Sequence, residues 1–240
     1  MRDTFVVAWK ELKEYVAFAE SKRGLAVQFL IFIGWLGVLM PLQQPDLAKT
    51  PWLTVFLPLI VTGGVVADSF AGERDRKTLE TLLATRLPDR SIYAGKMLAA
   101  VTYAWTMTVL VSAVSIVVIN VAGTPYLPSP GGILARVVAA ALAAALVANI
   151  GVYISLRAKT VREAQQTLSL VFVLAPISLT FILPAAIRYM PPELRSGLLH
   201  ILESTNPSVV GAVFMAALAA LDVVLVTTGI RRFRRSRLIL

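Results

Sequence analysis

The chain has 240 residues, of which 57% are hydrophobic and only 15% charged, with a formal net charge of +9. A soluble domain is about 45–50% apolar and ~25% charged, so this composition excludes an ordinary globular enzyme and indicates a protein whose solvent is largely lipid. The absence of cysteine excludes a disulfide framework and thiol chemistry.

Residues 1–23 hold nine charged groups and lack a basic-then-apolar pattern, so no cleavable signal peptide is expected. Phe5, Trp9, Leu12, Val16 and Ala19 recur at three- and four-residue spacing, while Lys10, Glu11, Lys13 and Glu14 fall mostly opposite. That pattern predicts an amphipathic helix lying in the headgroup region, with Trp9 and Phe5 on the apolar side.

About 20 apolar residues cross a bilayer. The charge-free run 24–45 is the expected first span. Residues 50–67 form the second, with Pro58 and the pair Gly63-Gly64 as sites of bending or close packing. Residues 97–121 form the third, followed by a Pro- and Gly-rich turn over Gly123–Gly132. Residues 137–156, rich in Ala, form the fourth. Residues 164–187 form the fifth, broken at Pro176 and Pro184, and 205–230 form the sixth, interrupted only by Asp222. The expected fold class is an all-α membrane protein with six transmembrane helices and an N-terminal interfacial helix.

Six spans place both termini on one side, and basic residues say which. The segments on that side carry nineteen of the 23 Lys and Arg; the other side has Lys49, Arg136, Arg188 and Arg195. The asymmetry predicts cytoplasmic termini in a multi-pass cell-membrane protein. The basic tail 231–240 then faces anionic lipid headgroups, and no nucleic-acid partner is needed to account for the charge.

Between the second and third spans lies 68–96, with eleven ionised groups. Each would cost at least ~2.5–3.5 kcal/mol in hydrocarbon, so this segment belongs in water. Within it, Leu79, Leu82 and Leu83 make an apolar face at i, i+3, i+4, with Thr78 placed to cap the helix and Pro88 to end it. Asp89 or Ser91 is placed to cap the next helix. A two-turn helix is not stable alone and needs a surface to dock on.

These residues carry a resemblance. AGERDRKTLETLLAT, followed by SIYAGK at the start of an apolar span, resembles the signature of the ATP-binding-cassette type-2 permeases, the membrane subunits of ABC exporters. Gly72, Glu73, Arg74, Thr78, Leu79, Glu80, Leu82, Leu83, Ala84, Thr85, Gly95 and Lys96 match the pattern. Lys77 stands where the family usually has Gly, and Arg86 where it has Pro. Ser155–Gln166 is similar to the family's second cytoplasmic loop, with Glu163 and Gln165 at the start of the fifth span. Residues 192–203 resemble the short external helix before the last span.

The resemblance implies two permease subunits, identical or homologous, and two separate cytoplasmic ATPases. It makes the segment around 76–85 a coupling helix seated in a groove of the ATPase. Glu73, Arg74, Thr78, Leu79, Glu80, Leu82 and Leu83 are then the expected coupling residues. It also implies that any ATP and magnesium are bound by the partner, and the chain itself is expected to be no enzyme. The run GERDRKT is only superficially similar to a phosphate-binding loop: the second Gly is missing and a membrane span precedes it. The outward direction follows from the resemblance alone; the apolar spans would suit a lipid-like or amphipathic substrate, with ions, peptides and glycoconjugates open as well.

Asp222 is the one acid well inside a span, about nine residues from Arg231, or ~13 Å along a helix. It is read either as an ion, proton or substrate site, or as a hydrogen bond to another helix. The first reading supports an alternative, an ion- or proton-coupled secondary transporter; a non-transporting assembly subunit is a second alternative. No internal repeat supports the secondary transporter. His200 is the single histidine, so a metal site is not expected.

Overall fold

The computed structural model describes residues 2–17, 30–49, 52–178, 181, 183–197 and 206–233. Among these residues the chain is all helical, with no strand. The helices are α1 (Arg2–Ala17), α2 (Leu30–Gln43), α3 (Pro45–Lys49), α4 (Trp52–Asp75), α5 (Leu79–Ala84), α6 (Asp89–Val121), α7 (Pro130–Arg157), α8 (Val161–Ile177), α9 (Leu183–Arg188) and α10 (Pro207–Arg232). A further short helical stretch covers 192–197.

Among the described residues three helices are long and apolar enough to cross a membrane, α6, α7 and α10, against the six spans expected. Residues 24–29 of the expected first span lie outside the described residues, and Leu30–Leu39 is wound as a π-helix. The second span is the front of α4, which runs on as one 24-residue helix through Pro58 to Asp75. The helix therefore does not end at residue 67, and the charged segment begins as its continuation. The fifth span is divided between α8 and α9.

The helix caps also differ from expectation. Thr78 stands at the N-cap of α5 but makes no side-chain capping bond, and α6 begins behind Pro88 with no cap from Asp89 or Ser91. Side-chain caps are present instead at α7 and α10, where the Ser129 and Asn206 side chains accept from Gly132 and Ser208 N–H groups.

The core sits at the end of the bundle that carries the charged segment. Val66 and Phe70 of α4, Ile92, Tyr93 and Met97 of α6, and Ala148 and Val152 of α7 pack with Leu79 and Phe233. The Ala face of α7 (Ala139, Ala140, Ala143, Ala144, Ala148) is buried, which lets backbones approach closely without a hydrophobic driving force in lipid. By contrast α10 leaves Val213, Val223 and Val224 exposed, as a lipid-facing helix would.

On α1, Phe5, Val6 and Trp9 are exposed, while Val7, Ala8 and Glu11 face the protein. The exposed apolar side suits the interfacial reading. Glu11 corrects the expected polar face: it is turned inward, 3% exposed, for a reason that lies on α4 and α6.

Candidate functional site

The charged segment folds around the end of α4. Asp68 and Arg76 pair across 3.1 Å, and a Cβ on Gly72 would collide with the Asp68 carboxylate. The helix then stops in a Schellman arrangement: Lys77 N–H donates to Arg74 O at 3.0 Å and Thr78 N–H to Glu73 O at 2.8 Å. That geometry needs a left-handed residue, and Lys77 supplies it at φ 57°. The departure from Gly noted in the sequence therefore falls on the one non-glycine with positive φ among the described residues.

The last turn of α4 holds two neighbouring helix ends. Arg74 donates to the carbonyls of Ala158 and Leu156 at the C-terminus of α7. Asp75 accepts from Val161 N–H at 2.9 Å, where α8 begins, favoured by the positive end of that helix. One turn earlier the Ser155 hydroxyl of α7 enters the α4 ladder, accepting from Phe70 and Ala71 N–H and donating to Ala67 O. A hydroxyl inserted in this way replaces direct bonds of the helix with bonds to its neighbour.

Glu73 forms the centre of a buried ion cluster. Lys96 Nζ, 1% exposed at its side chain, lies 2.7 Å from Glu11 Oε1 and 3.3 Å from Glu73 Oε1. Lys10 lies 3.7 Å from Glu73 and 3.2 Å from Glu14. The Thr78 hydroxyl donates to Glu73 Oε2 and also contacts the Glu73 carbonyl. Lys96 further rests over the Phe70 ring, 5.4 Å from its centroid. A single ammonium thus joins the N-terminal helix, the end of α4 and the start of α6.

The two carboxylates respond oppositely. Burial pushes Glu11 up, more than Lys96 and Lys10 pull it down. Burial also acts upward on Glu73, but Lys96, the Thr78 hydroxyl and Lys10 together outweigh it, so Glu73 sits below its ordinary value. Glu11, Glu14 and Glu73 are close enough to share a metal ion, yet Lys96 and Lys10 already supply their positive charge.

The expected coupling residues separate into two groups. Glu73, Arg74 and Thr78 are tied to the chain itself. Leu79 is 7% exposed in the core beside Ile92 and Tyr93, and Leu82 packs against the same cluster. The Leu79 side chain is thus turned toward its own protein and not outward. Glu80, Thr81 and Ala84 are exposed. The side chain of Leu83 lies outside the described residues, as do His200 and the tail beyond Phe233. Glu163 accepts from Lys159 N–H and its own N–H donates to Thr160, which orders the start of α8; Gln165 is exposed. Asp222 is buried and accepts from Asn149 Nδ2 of α7 at 3.3 Å.

Sequence reasoning missed Glu11 and Lys10 as partners of the charged segment. The only local sign was an acid and a base on one helix; their partner Lys96 lies 85 residues from Glu11.

The family model of the ABC-2 family transporter proteins matches residues 5–238. The chain belongs to the ABC-2 family. It is similar to the ABC transporter permease protein NatB of Bacillus subtilis (strain 168), 30% identical over 149 residues. That match covers 56% of this chain and 38% of the relative, so the likeness spans well under half of NatB. The family match takes in α1, the ion cluster and α10 together, in accord with the way Glu11 and Lys96 bind distant parts of the ABC-2 chain into one unit.

Proposed function

We propose that this chain is the permease subunit of an ABC exporter, driven by separate cytoplasmic ATPase subunits that hold the ATP and magnesium. It works as a pair, with a second copy or a homologous permease, and carries a lipid-like or amphipathic substrate outward through six spans with both termini in the cytoplasm. The observation that carries this reading is the rigid attachment of α5. Its outer face, Glu80, Thr81 and Ala84, is exposed, while Leu79 and Leu82 fix its inner face to α6 and α4. Behind it, Thr78 is bonded to Glu73, and Glu73 to Lys96. A push on the exposed face is therefore delivered to two helices at once and not absorbed in a loop.

The reading is tested by purifying the tagged protein from its native membrane and assaying ATPase activity in the eluate. A co-purifying ATPase is expected. Glu80→Arg with Thr81→Arg should abolish its association while leaving the permease folded. If no ATPase accompanies the wild-type protein, or if the double variant retains full association, the proposal fails.

A further inference from the structure

The interior contact between α7 and α10 contains one polar pair in an otherwise apolar wall. Asn149 is 2% exposed and Asp222 6% exposed. Asn149 Nδ2 donates to Asp222 Oδ1 at 3.3 Å. Two atoms are then left buried with no hydrogen-bond partner: Asn149 Oδ1 and Asp222 Oδ2. Both are acceptors if Asp222 is ionised, and no donor is available to either.

The chemistry of the two leftover atoms is complementary in one state only. A carboxylic acid and a carboxamide form a cyclic pair, in which the amide N–H donates to the acid carbonyl and the acid O–H donates to the amide oxygen. The first of these bonds is present. The second would join the two orphaned oxygens and requires a single hydrogen. A metal ion would need several more oxygens than the two on offer, and the one cluster of possible metal ligands among the described residues lies elsewhere, at Glu11, Glu14 and Glu73.

We infer that Asn149 and Asp222 form a proton-binding site, in which a proton on Asp222 Oδ2 closes an acid–amide clasp between α7 and α10. The proton is the ligand, exchanged with water from the nearer end of the bundle. When it is bound, both orphaned oxygens are satisfied and the pair is neutral. When it leaves, an uncompensated carboxylate faces an amide oxygen in an apolar wall, and α10 is released from α7 to admit water or another donor.

Among the described residues no charged neighbour is bonded to Asp222. The elements packed most closely on α10 are α7 and α6. On α7, Arg136 is held at the far end by Tyr126 and the Lys49 carbonyl, and Arg157 stacks on Tyr153 at the opposite end. On α6, Lys96 is bound to Glu11 and Glu73, Tyr93 packs on Phe233, and Tyr103 packs on Tyr15. Asp89 and Arg90 lie in the first turn of α6, at the end where Arg157 and Arg231 also lie.

The test compares wild type with Asp222→Asn and Asp222→Ala in detergent, over mildly acid to alkaline pH. In Asp222→Asn the new N–H stands where the acid O–H stood, so both bonds survive with nothing to titrate. The expected result is a wild-type unfolding midpoint that falls as pH rises. Asp222→Asn should match the wild type at acid pH and fall less than it as pH rises, the difference being the share due to Asp222, and Asp222→Ala should be lower at all pH values. Infrared spectra of the wild type at mildly acid pH should contain a protonated-carboxyl carbonyl component that Asp222→Asn removes. The proposal is overturned if that component is missing, if Asp222→Asn is as unstable as Asp222→Ala, or if the midpoint follows sodium concentration and not pH.

Discussion

Lys77 occupies a backbone conformation that its side chain opposes. For an L-residue the left-handed region costs roughly 1–2 kcal/mol, and Gly escapes that cost. Because Lys77 at φ 57° is the residue that turns α4 into α5, Lys77→Gly should stabilise the fold by about 1 kcal/mol, less the extra freedom Gly gives the unfolded chain. A higher thermal midpoint would show it; a lower one would mean that the Lys77 side chain supplies an interaction the turn requires. Lys96 is the opposite case, a strained arrangement of charge that is fully satisfied. Lys96→Met would leave Glu11 and Glu73 buried and facing each other, a loss of about 3–5 kcal/mol, measured by chemical denaturation. The two acids also divide the pH response. Glu73 sits low, so its contribution is present above the ordinary carboxylate range and is lost as pH falls through its folded value. Glu11 sits high, so ionising it weakens the fold as pH rises through its folded value. On acidification Glu11 therefore takes its proton first and at little cost, and the cluster opens only when Glu73 follows. Glu73→Gln should remove the acid limb of a stability profile, whereas Glu11→Gln should leave it in place. None of this could be read locally: the sequence marks Glu73 and Lys96 as motif residues, but only the fold brings Glu11 to them.

At the scale of the helix, α1 docks through a gap. A Cβ on Gly95 would stand 2.6 Å from Val7 Cβ and 3.0 Å from the Thr4 carbonyl, so α6 meets α1 at a point where only hydrogen fits. Gly95→Val should lift α1 from α6 and break the Lys96–Glu11 bond with it. The expected readout is faster proteolysis within residues 2–17, with α6 and α7 still protected. The interfacial helix was legible because Phe5 and Trp9 form an exposed apolar side, but its docked side was not, since Val7 and Ala8 are small and Glu11 looks solvated. Helix α5 was legible for a similar reason, as Leu79 and Leu82 share one face. What the spacing could not say was which surface they would meet, and here they meet α6 and Phe233. The continuity of α4 was hidden for a different reason. Hydropathy marks where a chain leaves the hydrocarbon and not where its helix ends, and Asp68, Glu73 and Arg74 remain helical because each finds a partner.

For the whole molecule, charge predicts the sidedness. With six spans, nineteen basic residues would fall on the side of residues 68–96 and four on the other. The structure gives each side an exposed marker: Thr81 on α5, and Leu127, 89% exposed in the turn between α6 and α7. Three helices cross by length and composition, and α6 alone separates these two markers, so their sidedness does not depend on how the shorter helices lie. The protein has no cysteine, and a single introduced thiol can therefore be followed without background. In intact cells a membrane-impermeant maleimide should label Leu127→Cys at once and Thr81→Cys only after the membrane is opened. Labelling of Thr81→Cys in intact cells would place α5 outside, beyond the reach of a cytoplasmic ATPase, and both the topology and the coupling role would fall together. If both positions were labelled only after opening, α6 would not span, and the span count would have to be rebuilt from α7 and α10.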